Sequence, residues 1–274
     1  MKKLLLFVVV LVSANAIAQN AITLQKGQAI KITNTSHMTA ELGMGMQMTN
    51  DVTAITNAVV KDENDVNYVI SSKVTKLVVK SEMMGNATNY DSDKKEDQET
   101  EVGKSLASFV NTESTTQLNK ATGKVDSMKV ADVDAEAQQK LGPLSETMQN
   151  ISGDVMIAGI YQGIPAGAKP GVPGSDTTNK DGLNAISHYT LKSVDNGIST
   201  IDMKGTMTGA KQIEAQGGMQ IDMTIDAKNS GTILVAANGL VKKRTLKVEM
   251  TNEMNVAGQA MTMTATTDSE STVE

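Results

Sequence analysis

Stretch after stretch of this chain alternates one apolar residue with one polar residue, and the apolar partner is often methionine. Leu42, Met44, Met46 and Met48 share one phase against Gly43, Gly45, Gln47 and Thr49. Ile201, Met203 and Met207 oppose Asp202 and Lys204, and Met219, Ile221, Met223 and Ile225 oppose Gln220, Asp222, Thr224 and Asp226. Leu246, Val248 and Met250 stand against Lys247, Glu249 and Thr251, and Met261 with Met263 ends the series. A period of two is the repeat of an extended strand, whose successive side chains point to opposite faces. One wet face and one dry face is the pattern of antiparallel sheets rather than buried parallel ones. The pattern therefore predicts a mainly β protein of antiparallel meanders, forming one or two curved sheets or half-barrels.

Turn chemistry agrees. Asn196-Gly197 separates two extended runs, and Asn238-Gly239 separates Thr232–Ala237 from Leu240–Val248. Asn-Gly supplies positive φ at both central turn positions and is a strong hairpin signal. Gly217-Gly218 and Gly258 mark two further breaks, giving about six strands in the C-terminal half by turn counting. The N-terminal half reads as a weak copy: Val59–Val66 resembles Thr190–Gly197, and Asn119–Val125 resembles Ala236–Val241. Ile30–Asn34 likewise echoes Val248–Asn252. Both a duplication and a chance likeness of Thr-, Lys- and Met-rich strands fit these pairs.

The middle differs. Asp134–Lys140 and Leu144–Ile151 carry helical spacing, with Leu144, Met148 and Ile151 on one face. Residues 163–182 hold Pro165, Pro170 and Pro173 among glycines and read as a linker. The charged run Asp91–Glu101 reads as a solvated loop or strand tip. The resulting division is a leader at 1–18, an N-terminal meander at 19–130, a helical and Pro/Gly connection at 131–182, and a C-terminal meander at 183–274.

The leader is read from Lys2 and Lys3, the apolar run Leu4–Val12 and the small-x-small site Ala16-Ile17-Ala18, with Gln19 as the first mature residue. The run is shorter than the roughly 20 residues a spanning helix needs, so no transmembrane segment is expected. No cysteine follows the cut, which excludes lipoprotein anchoring. The expected compartment is the periplasm or the exterior.

With no cysteine in 274 residues, thiol catalysis, thiolate metal sites and disulfides are excluded. A formal charge of −6, with no basic cluster or aromatic platform, argues against nucleic acid. There are 18 methionines, but only four tyrosines, two phenylalanines and no tryptophan. Such a core is deformable, because the unbranched thioether has three rotatable bonds.

The Ala-Ile-Ala-Gln leader end, Leu24-Gln25-Lys26-Gly27 before a first strand, the Pro/Gly loop ahead of the Tyr189 strand and Asn238-Gly239-Leu240-Val241 together resemble an exported, β-rich bacterial family of unknown function. The chain departs from that family in lacking a tryptophan after the Pro/Gly loop. At fold level, a curved sheet with a helix against it is similar to periplasmic lipoprotein carriers, which hold acyl chains in an open half-barrel. That likeness implies the fold and an apolar cargo.

For chemistry, no nucleophile elbow, zincin motif, phosphate loop or dinucleotide fingerprint occurs. His37 and His188 are the only histidines. A non-enzymatic role without a cofactor is expected. The preferred reading is a Met-rich sheet face that holds a lipid-like or other apolar ligand, built from Met44, Met46, Met48, Leu144, Met148, Ile151, Met219 and Met223. The alternative is a structural or interaction protein of the cell envelope, with an envelope protein as partner and no ligand. A third is Cu(I) held by His37, Met44, Met46 and Met48, because soft thioether suits a soft ion.

Overall fold

The structure is a computed structural model that describes residues 22–42, 45–83, 85–130, 141, 144, 148, 151, 153–163, 169–180, 182–214, 220–256 and 259–274. The leader, the Gly217-Gly218 and Gly258 breaks, the Asp134–Lys140 helix, Met44 and Met219 lie outside the described residues.

One antiparallel sheet holds the described strands together and does not close into a barrel. In chain order the elements are β1 (Ala29–Glu41), β2 (Gln47–Glu63), β3 (Asn67–Met83), β4 (Asn86–Asp91), α1 (Lys95–Glu99), α2 (Glu101–Ala107), β5 (Glu113–Asn119) and β6 (Val125–Val130). Then follow α3 (Gly153–Ala158), β7 (Pro173–Lys180), β8 (Leu183–Asp195), β9 (Ile198–Glu214), β10 (Gln220–Ala236), β11 (Val241–Val256) and β12 (Gln259–Val273). Across the sheet they run β6-β5-β3-β2-β1-β12-β11-β10-β9-β8-β7, with β4 paired to β3. Two meanders thus join at their first and last strands. The seam is β1 against β12, where Ile32 faces Val273 and Glu41 faces Thr264, and Lys31 and Glu274 exchange backbone hydrogen bonds.

The period-two pattern sets the two faces. Most even-numbered residues of β1 and β2, such as Ile30, Ile32, Met48 and Val52, are buried, while their odd neighbours Lys31, Thr49 and Asp51 are exposed. Both Asn-Gly turns form. Asn196 and Gly197 have φ of 50° and 76°, the left-handed pair expected of a two-residue hairpin turn, whereas in the second turn only Gly239, with φ of 82°, is left-handed.

The proposed sequence echoes have a structural counterpart. The β2–β3 hairpin has a bulge between Val60 and Asp62, and the β8–β9 hairpin has one between Leu191 and Ser193. The β5–β6 hairpin has one between Gln117 and Leu118, and β10–β11 between Leu234 and Val235. In each pair the bulge next to the turn falls at the same place in both members, while β2–β3 has a further one between Ile55 and Thr56. Bulges sharpen twist and bend a strand, so both meanders curl at the same level.

How far the sheet curls is shown by one side chain. Tyr161, just after α3, is 2% exposed. A Cβ built on Gly123 in the β5–β6 turn would lie 1.8 Å from Tyr161 Cδ1, and one on Gly239 in the β10–β11 turn 2.4 Å from its Cε2. In a flat sheet β5 and β11 are separated by about 24 Å, at ~4.8 Å per strand. One phenol ring instead touches both turns, so the two meanders converge at this end. The Gln162 N–H donates to Gly239 O and the Val241 N–H to Ile160 O, fastening the segment to the turn.

Beneath Tyr161, α3 plugs that end. Met156, Ile157 and Ile160 pack with Ile22, Leu24, Ile30, Ile32, Val60, Tyr68, Ile70 and Leu118. Each fully buried branched aliphatic in such a cluster contributes about 1.5–3 kcal/mol. Tyr68 fixes the start of the described chain: its hydroxyl donates to Ile22 O and accepts from the Leu24 N–H, both at 3.1 Å.

Three local readings of the sequence need correction. The charged run is solvated but not a plain loop: Lys95–Glu99 form α1 with no buried residue and Glu101 opens α2, beyond which Val102, Leu106 and, just after the helix, Phe109 pack against the cluster of Val74, Leu77 and Tyr90. Thr100 caps α2 through a 2.9 Å bond from the Gly103 N–H. The Pro/Gly linker contains β7, which is polar and begins at Pro173, both tolerated on an outer edge strand. Residues 183–274 consequently hold five strands rather than six, the sixth lying upstream.

Candidate functional site

The concave face of the sheet is layered from end to end. At one end a transverse row runs Met48–Ala40–Ala265–Met250–Ala227–Met207–Ala185 from β2 to β8. Large and small residues largely alternate, so each flexible thioether lies over a neighbouring methyl. Met38, Met48, Met207, Met223, Met250 and Met263 belong to this cluster, all between 2% and 8% exposed.

Moving toward α3, the next row mixes polar and apolar residues. Asn50 pairs with Met38, Met38 with Thr267, Thr267 with Val248, Val248 with Asn229 and Asn229 with Gly205. Further on lie Asn34, Ser271, Arg244 and Ile233, again side by side. Several of these groups have no partner among the described residues. Asn50 Nδ2 and Oδ1, Asn229 Oδ1, Asn252 Oδ1 and Arg244 Nε are buried without a hydrogen bond. Each such orphan costs about 1–3 kcal/mol, and buried polar atoms without protein partners are ordinarily met by water or by a ligand.

Arg244 is the most unusual member. It is the only arginine in the chain, and the register puts it on the concave face, in phase with Leu246, Val248 and Met250. Burial pushes its guanidinium below the ordinary arginine value, while nearby Tyr189 acts in the opposite direction. Its Nη1 reaches the backbone beside α3, where a Cβ on Gly159 would sit 3.6 Å away. The residue as a whole keeps partial solvent access.

The residues singled out from sequence divide among separate places. Met48 and Met223 share the methionine cluster. Met46 is half-buried at the β1–β2 turn, where its carbonyl accepts from the Leu42 N–H. Leu144, Met148 and Ile151 are buried elsewhere, with Val52, Leu77, Tyr90 and Leu106. The structure therefore does not bring that helical face onto the methionine row. His37 occupies the opposite, convex face, its Nδ1 2.6 Å from Asp51 Oδ1 and both side chains more than half exposed. His37 and Met48 differ in strand phase and point away from each other, so the full Cu(I) set does not assemble.

The convex face carries a shallow depression of about 480 Å³ around His37, Asp51, Lys247, Asp268 and Glu270. Its charges are of both signs and solvent-exposed, and Lys247 is already paired with Glu249 at 2.6 Å. No helix among the described residues is long and apolar enough to cross a membrane.

Arg244 escaped the sequence reading because it ends the run Lys242-Lys243-Arg244, which looks like a solvated basic patch. The signal that finds it is phase: counting back by twos from Met250 lands on Arg244.

No family model matches the chain, and no curated protein matches it. Among solved structures it is similar to the outer membrane channel from Pseudomonas putida F1, at 6% identity over 93% of this chain and 98% of that chain, with a TM-score of 0.21. It is similar to a Bacteroides fragilis protein with YmcC-like fold, at 9% identity over 93% and 98%, TM-score 0.18. A third is Pseudomonas aeruginosa OccK5, at 7% identity over 93% and 100%, TM-score 0.21. TM-scores this low carry no property from those proteins to this one.

Proposed function

We propose that the protein is an exported, non-enzymatic binding protein that holds a lipid-like ligand within its curved sheet. One observation carries the reading: orphaned polar atoms of Asn50, Asn229 and Arg244 sit on the same concave face as six buried methionines. A purely structural core gains nothing from unpartnered polar groups, which apolar residues of similar volume replace at lower cost. A ligand with apolar and polar parts meets both layers. Methionine suits the apolar part, because its adaptable side chain repacks around cargo of different shapes.

The alternative, an envelope scaffold with a filled interior, is favoured by the burial of those methionines, which leaves each at most 8% exposed. Native mass spectrometry of the protein isolated from its own host separates the two. A co-purifying mass of lipid size supports the binding reading. A clean apo mass at high yield supports the scaffold.

A further inference from the structure

We infer that Arg244 receives the carboxylate of a single-chain amphiphile whose tail runs along β11 toward the methionine row, an assignment that rests on the binding reading above. Three observations converge on it. First, the chain uses lysine for every other basic position and spends its one arginine on the concave face. A guanidinium stays charged when desolvated and presents a planar fork that matches a carboxylate, whereas a buried lysine readily loses its proton.

Second, the guanidinium has no counter-ion among the described residues. No carboxylate among the described residues pairs with it, and its Nε is sealed without a hydrogen bond. Its neighbours across the strands are Ser271 and Ile233, and Asn34 stands one strand further on. Hydroxyl and amide groups there complement an oxyanion without neutralising the arginine. The sealed Nε is a donor left without a partner at one edge of the charge, and an incoming anion removes that penalty.

Third, the layering fits an amphiphile rather than a small ion. From Arg244 the same strand face passes Leu246 and Val248 to Met250, about 20 Å away at ~3.4 Å per residue. An extended long acyl chain matches that length. Behind the guanidinium, α3 closes the other direction, with Nη1 within van der Waals reach of a Cβ built on Gly159. The head is thus fixed at the plugged end and the tail points to the methionines.

The test is calorimetric titration of the intact protein with dodecanoate, dodecanol and acetate, each below its aggregation concentration, repeated on Arg244→Gln and Arg244→Lys. Dodecanoate should bind the unaltered protein at least about tenfold more tightly than dodecanol, the margin expected of charge-assisted hydrogen bonds. Arg244→Gln should abolish the margin between dodecanoate and dodecanol, and Arg244→Lys should fall between. Equal binding of dodecanoate and dodecanol by the unaltered protein overturns the headgroup assignment but leaves the lipid-binding reading standing, and needs no variant to fold. Acetate binding as tightly as dodecanoate also overturns it, making Arg244 a site for free small carboxylates. Binding of none of the three removes both the assignment and the reading beneath it.

Discussion

Replacing Gly123 by alanine tests whether the two meanders really meet on Tyr161. Gly123 has φ of 65°, and a left-handed conformation costs an L-residue about 1–2 kcal/mol. The new methyl would also lie 1.8 Å from Cδ1 and 2.5 Å from Cγ of Tyr161. Rotation about Cβ–Cγ leaves Cγ in place, so spinning the ring does not clear the clash. Nor can the ring slide away, because its far edge already rests on Gly239. Overpacking of this kind adds about 1–3 kcal/mol, for a total near 2–5 kcal/mol. Gly197→Ala is the control: its φ is 76°, yet nothing lies within 4 Å of the added Cβ. It should cost only the backbone part, about 1–2 kcal/mol. Urea unfolding of both variants measures the difference. In a Tyr161→Ala background the excess at Gly123 should vanish, which a double-mutant cycle reports as a coupling of about 1–3 kcal/mol. Equal costs at Gly123 and Gly197, or an excess that survives removal of the ring, would refute the convergence of the two turns.

Two further outcomes follow from the core and the tyrosines. Met250→Ala should destabilise by about 2–5 kcal/mol and Ala227→Met by about 1–3 kcal/mol. Because these residues face each other across β10 and β11, the swapped pair should cost clearly less than the sum in urea unfolding, and strict additivity would count against the interlocking row. Burial raises the pKa of Tyr90, with Asp91 and Asp97 adding to it, and burial alone raises that of Tyr161. The folded chain therefore holds these protons past the ordinary value of 10.0, while the unfolded chain releases them there. Stability should be unaffected by these two groups below pH 10 and fall as pH rises through their folded values, read by phenolate absorbance alongside circular dichroism; phenolate signals from both that precede any loss of structure at the ordinary pH would contradict this.

What the sequence disclosed was local. Alternation at 201–207 and 246–250 assigned each residue to a face, because side-chain direction in a strand depends only on parity; at 42–48 it misled, because Leu42 and Met46 flank the turn between β1 and β2 and only Met48 lies in a strand. The Asn-Gly pairs located two turns, because few other residues accept that backbone. Failures came where a composition cue outweighed a periodic one. The acidic residues of 91–101 hid the helical spacing of Val102, Leu106 and Phe109, and two lysines hid the phase of Arg244. Polar β7 carries little alternation to detect, since an edge strand needs only its backbone partners. The methionine row was invisible for another reason: it is assembled by registers between strands, and no local pattern in one strand specifies which residue of another it will face.

The β1–β12 seam has a consequence for how the chain reaches this state. The central pairing of the sheet joins the first strand to the last, so it is the contact with the greatest sequence separation and the largest loop-closure entropy. Every other neighbour in the sheet except β3–β5 is a successive strand in the chain, and β3–β5 spans only β4, α1 and α2. Each meander can thus zip locally and early, whereas β1 waits with one open edge until the C-terminus is available. Loss of the last strand would therefore leave two half-sheets with unsealed middles, each a template for pairing with another chain.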